Sequence, residues 1–225
     1  MNKMVSWLHF GDLHIDGKDE PNYTDFQTLV DEANSHLMPG IDFALLPGDN
    51  ADNGTADEYA LVREALGRFA LPFHAITGDH DRAGGNLDLF QEYLSPSLYQ
   101  SFSLQGYHFV LLNSLAVWNP PRFGLGSGQL SWLHQELAGA AARKSPSVLF
   151  MHAYPSEHGA DADALRSLIA DHEVLLVEMG HTHYNELAND GRTIYAATRS
   201  TGQIEEGPPG VSVTTLDDSV VSWKF

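Results

Sequence analysis

The stretch FHAITGDHDR, residues 73–82, joins an apolar run to a glycine and three titratable side chains. The run FHAI is rich in strand-forming residues, which predicts a β-strand over residues 73–76. Gly78 directly before Asp79 suits a sharp turn that brings the next side chain to the rim of a sheet. One such cluster could be a solvated turn, so its meaning depends on whether the pattern recurs.

The pattern recurs at four other predicted strand ends. Apolar runs end in GDLH at 11–14, GDN at 48–50, MH at 151–152 and GHTH at 180–183. Ligand sites in sheets of this kind gather where the carboxyl ends of parallel strands meet. The five segments are therefore predicted to share one space.

Strand and helix patterns alternate along much of the chain. Strand-like runs lie at residues 5–10, 41–46, 73–76, 107–112, 148–150 and 174–179. Apolar stripes with helical spacing fall between most of them, and the last 30 or so residues are again β-rich. Alternation predicts parallel βαβ units, and the strand-rich second half predicts a second sheet packed on the first. With no internal repeat or linker, residues 1–225 are predicted to form a single domain.

Composition restricts the partners. The chain has 12 Lys and Arg against 30 Asp and Glu, which gives 12 − 30 = −18 at neutral pH. Such a surface repels anionic membranes and long nucleic acids, so neither is an expected partner, while homo-oligomerisation is left open. No apolar stretch is long enough for a signal peptide or a membrane span, which predicts a cytoplasmic protein.

The residue types at the strand ends indicate metal ions. The chain has no cysteine, so any metal must be held by oxygen and imidazole nitrogen. These donors suit divalent ions such as Mn, Fe, Zn, Co or Ni. The candidate ligands outnumber what one ion takes from a protein, so we predict two ions that share a carboxylate; the candidates are Asp12, His14, Asp49, Asp79, His152, His181 and His183.

The order of these motifs resembles the calcineurin-like metallophosphoesterase superfamily, whose pattern is D-x-H, GDxxD, GNH[DE], H and GHxH. The match runs from Asp12 to His183. It implies a four-layered αββα sandwich, with two mixed β-sheets flanked by helices. Two further stretches, GLGSGQLSWLHQEL at 124–137 and STGQIEEGPPGVSVTTL at 200–216, resemble the bacterial branch that includes class III cyclic-nucleotide phosphodiesterases.

The resemblance implies two metal-ligand sets joined by one bridging carboxylate. One set is Asp12, His14 and His183, the other is Asp79, His152 and His181, and the bridge is Asp49. His80 falls on the family's catalytic histidine, and Asp81 falls on the acidic residue that could orient its ring. Arg82 is a scarce positive charge in an acidic chain and is a candidate phosphate ligand.

The chemistry implied is hydrolysis of a phosphate ester. Two cations can activate a bridging water as hydroxide for attack on phosphorus, while His80 protonates the leaving alkoxide as general acid or orients the phosphate. We predict a phosphodiesterase for small anionic substrates such as a cyclic nucleotide. A phosphomonoesterase or nucleotide pyrophosphatase would use the same site. A non-catalytic scaffold with this fold is the alternative from another class, although the ligand histidines that it could dispense with are all present.

Asp79 departs from the family pattern, which usually has asparagine there. With Asp12 and Asp49 it brings the ligand charge to −3 against +4 from two divalent ions. The added carboxylate is predicted to hold metal more tightly and to leave less positive field for a substrate phosphate.

Overall fold

The computed structural model describes residues 4–117, 123–202, 209–218 and 220–224. The first β-sheet in these residues has five strands. These strands are β1 (Val5–Phe10), β2 (Phe43–Leu46), β3 (Phe73–Ala75), β10 (Val211–Asp217) and β11 (Val220–Lys224). Their order is β11-β10-β1-β2-β3, with β1, β2 and β3 parallel and the two C-terminal strands antiparallel. Three ligand-bearing strands therefore end at the same edge.

The second sheet has six strands, in the order β4-β5-β6-β7-β9-β8. They are β4 (Gln100–Leu104), β5 (Tyr107–Leu111), β6 (Ser147–Phe150), β7 (Val174–Met179), β8 (Glu186–Asn189) and β9 (Ile194–Ala197). The four central strands are parallel, and the edge strands β4 and β8 are antiparallel. β8 was not predicted, because this largely exposed edge strand lacks an apolar run.

In the described residues, five α-helices flank the sheets. They are α1 (Pro21–His36), α2 (Ala56–Leu66), α3 (Asp88–Tyr93), α4 (Gly126–Ala142) and α5 (Ala162–Asp171). The clearest local start signal is at α2, where the Thr55 side chain accepts from the Glu58 amide and the Glu58 side chain accepts from the Thr55 amide. None of the helices in the described part of the chain is long and apolar enough to cross a membrane.

Three hydrophobic clusters separate the four layers. β1 shows the period-two alternation that connects them: Trp7 packs between the two sheets, whereas Leu8 and Phe10 pack towards α1 and α2. A third cluster joins the second sheet to α4 and α5 through residues such as Leu133. The predicted αββα sandwich is confirmed.

Residues 203–208, which belong to the stretch STGQIEEGPPGVSVTTL at 200–216, lie outside the described residues.

Candidate metal centre

All seven predicted metal ligands lie in loops that directly follow β1, β2, β3, β6 and β7. Four of them adopt left-handed backbone conformations, a region that non-glycine residues rarely enter: His14, Asp49, His181 and His183. Each such conformation costs on the order of 1–3 kcal/mol, and strain of this kind clusters at functional sites. The concentration of strain here therefore points to function.

The first group of side chains is almost closed to solvent. It consists of Asp12, His14, Asp49 and His183, whose ligand atoms lie within 4.8 Å of one another. His183 Nε2 is 3.2 Å from Asp12 Oδ2, and His14 Nε2 is 3.5 Å from Asp49 Oδ2. Asp12 and His14 are buried, and His183 is 15% exposed.

The second group shares Asp49 with the first. Its other members are Asp79, His152 and His181, again with ligand atoms within 4.8 Å. His152 Nε2 lies 3.1 Å from Asp79 Oδ1 and 3.5 Å from Asp49 Oδ2. The same Asp49 oxygen thus faces both groups, which is the arrangement that a bridging ligand requires.

Unsatisfied and crowded polar atoms show that these residues fit metal ions. Asp12 Oδ1 is buried and has no hydrogen-bond partner among the described residues. His14 Nε2 and His183 Nε2 face one another at 3.1 Å, although only one of two such nitrogens can donate to the other. A cation between these atoms would satisfy all three.

Outer hydrogen bonds aim the buried imidazoles inward. His152 Nδ1 lies 3.0 Å from the Pro47 carbonyl oxygen, to which it donates, and His14 Nδ1 lies 3.2 Å from Asp52 Oδ1. Each leaves Nε2 free to act as a ligand, as expected when a second partner fixes the tautomer of a metal-bound histidine.

The electrostatics of the second group favour a cation. Burial alone would lower the pKa of His152, but the carboxylates of Asp49 and Asp79 raise it well above its ordinary value. Burial raises the pKa of Asp79, but its hydrogen bonds with His152 and His181 outweigh this and lower the pKa. A metal ion that binds here therefore displaces the proton of His152, because the carboxylates of Asp49 and Asp79 attract both.

The glycines of the motifs are needed for space. A Cβ on Gly78 would lie 2.1 Å from Asp49 Oδ1, and one on Gly180 would lie 2.2 Å from Asp12 Oδ1. Both glycines have ordinary backbone conformations, so the sharp turn expected at Gly78 is not the main reason for its presence. Any side chain there would displace a predicted ligand.

His80 lies beside the two groups and is partly exposed. Its Nδ1 is 2.8 Å from the Asp52 carbonyl oxygen, and its backbone amide donates to Asp49 Oδ1 at 3.0 Å. Burial would lower the pKa of His80, but the surrounding Asp49, Asp79 and Asp52 raise it overall. The ring is thus held on one side and favoured in its protonated form.

Asp52 lies at the centre as well, although it is not among the residues that the strand-end patterns predict. Besides its carbonyl contact to His80, its carboxylate oxygen Oδ1 lies 3.2 Å from His14 Nδ1 and 3.6 Å from His80 Nδ1. The sequence carries a signal for this residue, because Asp52 stands at the second aspartate of the GDxxD pattern.

The predicted role of Asp81 as orienter of His80 is not what the hydrogen bonds show. Its buried carboxylate accepts from the backbone amides of Asn50, Ala51 and Gly78, from the Asn50 side chain, and from the Tyr59 hydroxyl at 2.9 Å. Burial and the nearby Asp49 charge raise its pKa to about 7. Asp81 therefore ties the loops after β2 and β3 together, and Asp52 takes the place beside His80.

Arg82 donates to the Gly85 carbonyl oxygen of its own loop. A contact between Arg82 and substrate phosphate stays a prediction.

Comparisons with known proteins agree with this geometry. The chain is 25% identical over 247 aligned residues to a probable cyclic nucleotide phosphodiesterase of Fibrobacter succinogenes, covering 99% of this chain and 89% of that protein. It is 27% identical over 163 residues to a probable glycerophosphodiester phosphodiesterase of Arcobacter nitrofigilis, covering 66% of this chain and 59% of that protein. The crystal structure of a dimetal phosphatase from Danio rerio has the same fold, with a TM-score of 0.75 at 15% identity, covering 95% of this chain and 93% of that one.

The two converging groups of carboxylates and imidazoles could hold two metal ions, which is the kind of site that a metal-dependent phosphoester hydrolase needs. The calcineurin-like phosphoesterase family model matches residues 6–185, and the chain belongs to that family.

Proposed function

We propose that the protein is a phosphodiesterase for small substrates, such as a cyclic nucleotide or another phosphodiester. The observation that carries this proposal is the complete pair of ligand groups around Asp49, with His80 directly beside them. The two relatives described above are named as a probable cyclic nucleotide phosphodiesterase and a probable glycerophosphodiester phosphodiesterase, which supports a diester substrate.

The predicted metal ligands, His80 and Asp52 have different roles in hydrolysis. The predicted ligands would hold two divalent ions, which would activate water and neutralise the charge that builds on the phosphoryl oxygens. His80 protonates the leaving alkoxide, and the neighbouring Asp49, Asp52 and Asp79 favour its protonated form by raising its pKa. Asp52 positions the ring through Nδ1, so that Nε2 is the nitrogen that donates.

The choice of a small substrate follows from charge. The chain carries −18 overall, so attraction for an anion must be local to the metal centre. A long nucleic acid would meet acidic surface beyond the site. A cytoplasmic location and a single domain over residues 1–225 remain predictions.

A scaffold role is less well supported than catalysis. A protein that kept only the fold would have no need for seven convergent ligands or for four left-handed residues among them. Retained strain at the ligands favours an active site.

A turnover panel tests the proposal. Purified protein loaded with Mn, with metal content measured on the same sample, is given 3′,5′- and 2′,3′-cyclic nucleotides, glycerophosphodiesters, nucleotide pyrophosphates and phosphomonoesters. We expect hydrolysis of at least one diester at a higher kcat/KM than of any monoester or pyrophosphate. Metal-loaded protein that hydrolyses none of them would overturn the proposal, and faster monoester or pyrophosphate hydrolysis would assign the alternative activity.

A further inference from the structure

The two halves of the metal centre offer matching donor sets. Each half has one carboxylate of its own, two imidazoles and a share of Asp49, and the unshared carboxylates are Asp12 and Asp79. Affinity for a divalent ion depends on the type and charge of its ligands. The two halves are therefore equivalent in donor chemistry.

The halves differ in their access to solvent. Asp12 is buried, whereas the side chain of Asp79 is 25% exposed and that of its neighbour His181 is 32% exposed. Asp79 therefore stands on the open side of the centre, where a substrate arrives.

The two oxygens of Asp79 have different surroundings. Oδ1 lies 3.1 Å from His152 Nε2 and 3.5 Å from His181 Nδ1. The contacts of Asp79 with these two histidines are thus made through Oδ1. An ionised carboxylate can only accept hydrogen bonds, so Oδ2 offers nothing to a phosphoryl oxygen and repels it.

The charge of Asp79 acts unequally on different phosphate esters. Three carboxylates with two divalent ions leave +1 at the centre, because 4 − 3 = +1. Coulomb energy scales with the product of the charges, so one added negative charge opposes a dianion about twice as strongly as a monoanion. Phosphomonoesters are dianions above neutral pH, whereas phosphodiesters are monoanions.

We propose that Asp79 is a specificity-determining residue that makes this site prefer monoanionic phosphodiesters over dianionic phosphomonoesters. The inference rests on the proposed function, because it assigns a substrate class to the same site.

The test compares Asp79→Asn with wild type at saturating Mn. The readout is the ratio of kcat/KM for p-nitrophenyl phosphate to that for bis-p-nitrophenyl phosphate, at about pH 8, where the monoester is a dianion. We expect Asp79→Asn to raise this monoester-to-diester ratio by about tenfold. Glu92→Gln removes one charge from the exposed face of α3 and serves as the matched control, with an unchanged ratio.

A metal titration gives a readout that does not depend on turnover. Calorimetric titration with Mn compares metal-free wild type with metal-free Asp79→Asn. The variant is expected to bind one of the two ions about tenfold more weakly than wild type does. If the variant bound both ions as tightly as wild type, the charge of Asp79 would not act at the metal centre and the proposal would be overturned.

The outcomes separate the two proposals. An active wild type whose ester ratio is not raised by Asp79→Asn overturns the role of Asp79 and leaves the phosphodiesterase assignment intact. A wild type that binds two ions and hydrolyses neither these esters nor any substrate of the turnover panel overturns the proposed function, and the preference falls with it.

Discussion

A buried carboxylate and a histidine lie together between the two sheets, and a larger buried cluster of the same residue types lies at the edge of the sheets. In the first, Glu178 of β7 accepts from Trp7 Nε1 at 2.7 Å and from the Thr214 hydroxyl, and it lies 3.1 Å from His9 Nδ1. Its partners all belong to the opposite sheet. The single carboxylate of this central cluster thus links the two sheets through donors that the protein itself provides.

The edge cluster, which is the metal centre, uses the same residue types, but the part of the chain that the structure describes does not supply a hydrogen-bond donor for every carboxylate oxygen. Three carboxylates and four imidazoles converge, and Asp12 Oδ1 has no partner among the described residues. A carboxylate whose oxygens are satisfied by the protein contributes to stability, whereas surplus ligand atoms at an accessible edge bind cations. Composition alone does not distinguish the clusters, but their carboxylates do: both oxygens of Glu178 accept hydrogen bonds from the protein, whereas Asp12 Oδ1 accepts none from the described residues.

The largest expected effect comes from removing the ligand that both metal groups share. We expect Asp49→Asn to lose at least one ion per protein and to reduce kcat by about 10³ or more, because both ions lose a charged ligand. Metal content by mass spectrometry and steady-state kinetics measure this, with circular dichroism as the check on folding. A variant that keeps two ions and wild-type turnover would show that Asp49 is not a shared metal ligand.

The central cluster is expected to respond in stability instead. Glu178→Ala leaves the buried Trp7 and Thr214 donors without an acceptor and should lower the free energy of unfolding by about 3 kcal/mol. Urea unfolding measures the loss, and Glu178→Gln, which keeps one acceptor, should lose less. The folded fraction should still bind two ions. If Glu178→Ala lost metal but not stability, the central cluster would not have the structural role that sets it apart from the edge cluster.

A buried histidine whose two ring nitrogens face neutral partners sharpens the comparison through pH. His158 Nδ1 lies 2.9 Å from the Tyr154 carbonyl oxygen and its Nε2 lies 3.1 Å from Ser114 Oγ, and burial lowers its pKa from 6.5 to about 4. The folded protein therefore favours the neutral ring. Its stabilising contribution is complete above the unfolded pKa of 6.5 and is lost as pH falls towards 4.

Urea unfolding at about pH 7 and pH 5 tests this sign. Between these pH values the free energy of unfolding should fall by about 2 kcal/mol more in wild type than in His158→Gln, in which no proton is taken up at this position. Equal losses in the two proteins would show that His158 titrates normally in the fold.

The smallest expected effect concerns Asp52, at the margin of the edge cluster. Asp52→Asn keeps the carbonyl contact to His80 but removes the carboxylate charge that helps to raise its pKa. We expect kcat to fall by about tenfold and the basic limb of the pH–rate profile to move to lower pH. Glu92→Gln should leave both unchanged. A lower kcat with an unmoved basic limb would mean that Asp52 acts through His14 instead.

The ligands were predictable because each follows a strand whose apolar run is visible locally. Asp12, Asp49 and His152 could be placed at one edge from strand periodicity and the convergence of parallel strands alone. The exposed strand β8 could not be predicted, since its pairing with β9 is backbone bonding that leaves no pattern in the side chains.

The sequence by itself determined the layered fold, the donor types and the five motifs, because strand alternation, helical stripes and strand-end ligands are short-range features. Only the tertiary structure decided what neighbouring acids do. Asp79 and Asp81 are two residues apart on one turn, yet Asp79 faces His152 and Asp81 faces Tyr59. Likewise, only packing brings Glu178 to Trp7 across 171 residues of chain. The direction of a side chain in a tight turn, and its partner across a sandwich, depend on distant segments that no local pattern encodes.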